Sequence, residues 1–150
     1  MESIAKISLK FGTPEFGWLP IKFKYQNFNL ALDVSDVPVN PINQLCTCLI
    51  QINKGIKFPQ IIVWHLEPRC YYLQLEKNDN NFNVKILESE SLDSQMDLLI
   101  KFTGDFENII LPLYRGLKEF SSHLYSHPNW EIVNNERVEE LTRLIKKNRT

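Results

Sequence analysis

The sequence predicts an α+β fold: an antiparallel meander sheet of about six to seven strands with about three helices packed mainly on one face. Two observations predict this class. Between residues 58 and 103, four strand-like apolar runs follow one another, separated by short polar loops. Three other stretches repeat apolar residues at steps of three and four, which is the spacing of amphipathic helices. Strands with one apolar and one polar face favour a sheet that carries helices on one side only.

Strands are predicted wherever apolar and polar residues alternate. The runs are 7–11, 19–25, 28–32, 61–66, 71–76, 82–86 and 96–102. Gln26 and Asn27 separate the second run from the third, as in a β-hairpin. The run 61–66 is apolar on both faces, which predicts a central strand covered on both sides. In the last run, the predicted covered face comprises Met96, Leu98, Ile100 and Phe102.

The first helix is predicted to begin after Asn40, a good N-cap, with Pro41 at the first helical position, and to stop at Gly55. The second is predicted from Asp105, with one apolar stripe that reaches Leu124. Pro112 lies inside this stripe and removes a backbone donor. We therefore expect either a kink or a true start near Leu111.

The second helix is expected to end at Tyr125 or Ser126, because a proline follows shortly afterwards. The third is expected to begin near Asn134 or Asn135 and to end in the basic run 146–149. Basic residues there complement the helix dipole, so this run is first a helix-end feature.

Composition predicts one domain over residues 1–150. Of the 150 residues 43% are hydrophobic, enough for one core, and no Pro/Gly/Ser-rich linker divides the chain. The net charge of −1 argues against a general nucleic-acid binder, whose affinity needs a basic face. We see no signal peptide and no apolar run of the roughly 18 residues that a membrane span needs. We therefore expect a cytoplasmic protein without membrane contact, and the three cysteines fit a reducing compartment.

Neither the cysteines nor the histidines predict a metal site, and no cofactor is predicted. Cys46 and Cys48 point to different sides of a helix, and no second Cys or His pair follows at zinc spacing. His123 and His127 have the spacing of two helical metal ligands, but Pro128 places them at a helix end. Buried thiols and a solvated helix end are the favoured interpretations.

One alternative function is a small enzyme built on His65 and Glu67. On a strand these residues fall on one face, where the carboxylate would orient the imidazole as a general base in a cleft lined by Trp18 and Trp64. The competing interpretation is a polar pair whose members satisfy each other at a strand end before Pro68. No nucleophile motif or Gly-rich phosphate loop accompanies the pair, so no catalytic residue is assigned.

Acidic residues are concentrated in the middle of the chain. From Glu76 to Glu107 there are eight acids and three bases, although the whole chain is nearly neutral. One interpretation is a solvated face that keeps an antiparallel edge soluble. The other is a binding surface for a basic protein such as a nuclease, because complementary charge speeds encounter and rejects wrong partners. The predicted partner-binding residues are Glu88, Glu90, Asp93 and Asp97.

Three segments carry a resemblance to a known group of proteins: Gly12–Pro20, Asp36–Pro41 and Trp64–Pro68. With the size, the strand-then-helix order and the Asn/Ile/Lys-rich composition, the chain resembles bacterial immunity proteins of contact-dependent growth inhibition and related toxin systems. The resemblance implies a cytoplasmic protein that binds one cognate toxin domain and blocks its active site or partner surface. It assigns no binding residue. The predicted function is thus a non-catalytic protein-binding module. A third hypothesis is an oligomeric component that pairs through an exposed edge strand, and the sequence leaves the oligomeric state open.

Overall fold

The structure is a computed structural model, and it describes residues 5–149. Seven antiparallel strands form one meander, in which neighbours along the chain are neighbours in the sheet. The strands are β1 (Ser8–Phe11), β2 (Trp18–Tyr25), β3 (Phe28–Ser35), β4 (Gln60–His65), β5 (Cys70–Asn78), β6 (Asn81–Ser89) and β7 (Asp97–Gly104). This confirms the predicted meander and its α+β class.

Three helices accompany the sheet: α1 (Pro41–Asn53), α2 (Leu111–Ser121) and α3 (Asn135–Arg149). The Asn40 side chain caps α1 by accepting hydrogen bonds from the amides of Ile42 and Asn43, as predicted. A π-helical turn, Phe106–Ile110, precedes α2, so the regular helix starts at Leu111. Within residues 5–149, no helix is long and apolar enough to cross a membrane.

Alternation along the strands gives the sheet two faces, of which one is covered by helices. On the covered face, α1 packs on β4, α2 packs on β1, and α3 packs on α1. This face carries much of the core, and five of its residues are at most 1% exposed: Leu19, Ile21, Ile62, Leu73 and Val84. The opposite side of the sheet is called the open face below. The prediction that the helices pack mainly on one face is confirmed.

The sheet is nearly divided between β3 and β4, where the described register holds the single pair Ser35 and His65. A three-stranded part (β1–β3) and a four-stranded part (β4–β7) therefore diverge from this corner. Their covered faces meet again at Tyr25 of β2 and Phe102 of β7, whose rings stack with centroids 3.6 Å apart and planes within 4°. The core is enclosed between the two parts and the helices.

The prediction for the start of β7 was wrong. A β-bulge lies at Ile86/Leu87, where two residues of β7, Leu98 and Leu99, lie opposite one residue of β6. Leu98 therefore pairs with Leu87 on the open face, and it is 49% exposed. Met96 lies outside the strand and is exposed. Strict alternation cannot reveal a bulge, because the extra residue changes the face of every residue before it.

Two further predictions need correction. α2 ends at Ser121 rather than Tyr125 or Ser126, and Leu124 is 96% exposed instead of continuing the apolar stripe. β4 is the central strand of the sheet, as predicted, but helices cover only one of its faces, and Ile61 on the open face is 38% exposed.

Candidate functional site

His65 lies at the end of β4 on the open face, and its nearest polar partner is a backbone group. The ring Nδ1 is 2.9 Å from the carbonyl oxygen of Val37. Glu67 belongs to the following turn, has a φ of 57°, and does not continue the strand. The predicted sharing of one strand face by His65 and Glu67 was therefore wrong, because the strand ends at His65.

The two tryptophans do not line one cleft. Trp64 points into the core on the covered face and is 2% exposed, whereas Trp18 is 39% exposed. Trp18 neighbours the fully buried Leu19, so it lies on the open face. The aromatic-lined cleft expected for an enzyme is thus absent from this part of the described chain.

The register instead places His65 in a row of side chains across five strands. Cross-strand pairing connects them in the order Trp18, Ser35, His65, Cys70 and Ser89. Cys70 is fully buried, burial raises the pKa of its thiol, and its Sγ lies 3.5 Å from the carbonyl oxygen of Pro68. A thiol held neutral in this way is a poor nucleophile. Sequence reasoning missed the row because only the register reveals it.

The four predicted partner-binding acids separate into two kinds. Glu88 forms a 2.6 Å ion pair with Arg69, and its side chain is 22% exposed. Its partner in β7 is Asp97. Glu90, Asp93 and Asp97 are exposed, and among residues 5–149 none of them has a salt bridge. The structure therefore presents three of the four carboxylates as unpaired charges, while Glu88 is already neutralised locally.

Exposed apolar residues alternate with these three acids along the segment 90–99, although Met96 and Leu98 were predicted to lie on the covered face. Leu92 is 45% exposed, Met96 42%, Leu98 49% and Leu99 37%. We call the set the acidic–apolar surface: Glu90, Leu92, Asp93, Met96, Asp97, Leu98 and Leu99. Single exposed apolar residues are ordinary, but a group rimmed by charges is typical of interaction sites.

The segment that carries this surface is held to the sheet by hydroxyl groups. Tyr72 and Ser89, each 2% exposed, share a 2.8 Å hydrogen bond, and Ser89 Oγ donates to the carbonyl of Ser91 at 2.7 Å. Ser91 Oγ and Ser94 Oγ are 2.7 Å apart. Burial raises the pKa of the Tyr72 hydroxyl, which keeps it protonated as a hydrogen-bonding group. The connection between β6 and β7 is thus fixed in place rather than merely solvated.

The cysteines and histidines that raised the question of a metal site are not brought together. Cys46 and Cys48 are buried in α1, and His123 follows the end of α2. Among residues 5–149, no group of three or more His, Cys, Asp or Glu side chains is placed to hold a metal ion.

Comparisons of the chain with protein-family models, with curated proteins and with solved structures gave no significant match.

Proposed function

We propose that this chain is a non-catalytic protein-binding module that holds a basic protein partner through the acidic–apolar surface. The observation that carries the proposal is the mixture on that surface: unpaired carboxylates of Glu90, Asp93 and Asp97 beside exposed Leu92, Met96, Leu98 and Leu99. Such a surface offers apolar area to be buried and charges that select the partner.

The two kinds of side chain have different tasks in this proposal. Burial of apolar area supplies affinity, at about 25 cal/mol per Å² before the cost of association. The carboxylates accelerate encounter with a basic surface and repel acidic proteins. The hydroxyl contacts from Tyr72 to Ser94 fix the segment before binding, which lowers the ordering cost of the complex.

Among protein-binding modules, we propose a bacterial immunity protein that acts in the cytoplasm and neutralises a cognate toxin domain. The resemblance in the sequence segments supports this class, and the charge of the surface suits a basic toxin such as a nuclease, whose own active site attracts phosphates. The placement of His65 against the Val37 carbonyl and the buried, neutral Cys70 also favour a module over an enzyme.

The proposal is tested with the C-terminal domain of the large secreted protein expected to be encoded directly upstream. The wild-type chain should rescue growth when this domain is expressed, and should bind it in biolayer interferometry. Reversing three charges (Glu90→Lys, Asp93→Lys, Asp97→Lys) should reduce the association rate about tenfold or more at low salt. The difference in association rate between this variant and the wild type should become smaller at higher salt, because salt screens the charges.

A matched variant reverses three exposed acids on the helices (Glu119→Lys, Glu136→Lys, Glu139→Lys) and changes the net charge equally. It should associate nearly as fast as the wild type. An equal loss of association rate in both triple variants would show that the rate depends only on net charge. That result would contradict the assignment of the acidic–apolar surface as the binding site. A neighbouring gene without a toxin domain would remove the immunity assignment, and the surface would then be tested with whichever basic protein co-purifies.

A further inference from the structure

A cavity of about 300 Å³ lies away from the acidic–apolar surface, between the helices. Its walls come from α1, α2, the first turn of α3 and the segment 131–134 that precedes it. This volume is at the lower end of the range found for small-molecule sites. The proposed protein-binding function makes no use of this cavity.

The floor of the cavity is apolar. Ile42, Leu117 and Val138 line it from three different helices and are at most 2% exposed. The thiol of Cys46, 5% exposed, completes this floor. An aliphatic group of a ligand would therefore be surrounded by hydrocarbon and removed from water.

The rim of the cavity carries two opposite charges that are not paired with each other. Arg137 and Glu131 both line it, and neither is in a salt bridge among residues 5–149. Arg137 Nη2 donates to Thr47 Oγ1 at 3.2 Å, and Glu131 Oε2 accepts from Asn40 Nδ2 at 3.3 Å. The Arg137 guanidinium also interacts with the Cys46 thiol of the floor. These contacts hold the two side chains, while further guanidinium donors and a carboxylate oxygen are left for a ligand.

We propose that this cavity binds a free α-amino acid with an aliphatic side chain. The planar guanidinium of Arg137 suits a carboxylate, which it recognises with two parallel hydrogen bonds. The carboxylate of Glu131 suits the ammonium group, and the floor of Ile42, Leu117 and Val138 takes the side chain. A simple fatty acid would bring no positive charge to Glu131, whose present partner is the neutral Asn40 side chain. An amine would bring no negative charge to Arg137, whose present partners include the neutral Thr47 hydroxyl. Both charges together therefore select a zwitterion.

Isothermal titration calorimetry with L-leucine tests the proposal, with isocaproate and isoamylamine as probes that lack the ammonium and the carboxylate. L-leucine should bind. The affinity of each of the other two probes should be lower by a factor of about ten or more. Arg137→Gln and Glu131→Gln should each weaken L-leucine binding by a similar factor. Both residues are exposed, so unchanged melting temperatures of the unliganded variants should confirm that they fold.

Arg143→Gln and Glu136→Gln are the matched controls, because both alter exposed charges on α3 that do not line the cavity. They should leave L-leucine binding unchanged. If about 10 mM L-leucine gives no heat of binding and does not shift the melting temperature of the protein, the proposal is overturned. Isocaproate binding as tightly as L-leucine, or equal losses in the control variants, would overturn it as well.

Discussion

At the scale of single residues, the thiol of Cys48 makes stability depend on alkaline pH. Burial raises its pKa from the ordinary 9.0 to about 12, and the side chain is 4% exposed. Between these two values the folded protein keeps a proton that the unfolded chain has released. The free energy of unfolding should therefore be fully retained below about pH 9 and should fall as the pH rises further, by at most about 1.4 kcal/mol per pH unit for this group.

Urea unfolding at several pH values between about 7.5 and 11 measures this slope. Cys48→Ala should be less stable at neutral pH because it leaves a cavity, but its stability should fall less steeply above pH 9. Ile52→Val, on the same helix and 1% exposed, also removes buried volume without removing a titrating group. It should keep the wild-type slope, and an unchanged slope in Cys48→Ala would contradict the assignment.

In the candidate site, the exposure of the acids could be predicted from the sequence but their contacts could not, and their role in binding stays a prediction. Counting charges found Glu90, Asp93 and Asp97, which are exposed in the structure. The ion pair that neutralises Glu88 comes from Arg69, which lies outside the acidic stretch in the sequence and is brought there by strand pairing. The exposure of Leu98 depends on a bulge, and alternation alone cannot locate a bulge.

At the scale of elements, the contact between α2 and β1 depends on a glycine. A Cβ built on Gly116 would lie 2.6 Å from the backbone oxygen of Leu9, so α2 approaches the strand more closely than any other residue would allow. Gly116→Ala should therefore destabilise the protein by about 1–3 kcal/mol. Helix propensity alone predicts the opposite, a gain of about 1 kcal/mol.

Chemical denaturation of the two variants Gly116→Ala and Arg115→Ala separates these effects. Arg115 is the exposed neighbour on the same helix, and its replacement should change the free energy of unfolding by less than about 0.5 kcal/mol. A more stable Gly116→Ala protein would show that α2 can shift away from β1 without loss, and the close approach would then have no structural importance.

Helix starts were predictable and one helix end was not, for a physical reason. The starts depend on local chemistry: Asn40 caps α1, and Asp105 accepts a hydrogen bond from the amide of Asn108 at the π-helical turn. Asn134 likewise accepts from the amide of Arg137 at the start of α3. The end of α2 at Ser121 has no comparable local signal, since the apolar stripe continues in the sequence to Leu124.

At the scale of the whole molecule, both parts of the sheet carry opposed lysines on the open face, and in the four-stranded part Lys85 pairs with Lys101. On the three-stranded part Lys10 lies directly opposite Lys22, and Lys24 is on the same face. Like charges in this arrangement weaken a sheet slightly. The unpaired acids lie at the far side, beside β7. A basic partner is therefore repelled by the lysine pairs of both parts of the sheet and attracted to the segment that carries these acids, which orients its approach.

The closure of the sheet is the other whole-molecule feature, and it was not predictable from the sequence. Tyr25 and Phe102 belong to strands that are five positions apart in the sheet, yet their rings stack at 3.6 Å. Because β3 and β4 share one residue pair, this stack is expected to hold the two parts of the sheet together. A double-mutant cycle of Tyr25→Ala and Phe102→Ala should give a coupling energy of about 0.5–1.5 kcal/mol.

The control cycle combines Tyr25→Ala with Phe58→Ala, because Phe58 is 64% exposed and has no ring contact with Tyr25. Those two changes should add within about 0.3–0.5 kcal/mol. Each free energy comes from urea unfolding, and the midpoint and slope together show whether the transition remains cooperative. Additivity of Tyr25→Ala and Phe102→Ala would mean that the helices alone hold the two parts together. A coupling energy that is found for Tyr25 and Phe102 but not for the control pair would show that these two rings hold the two parts of the sheet together.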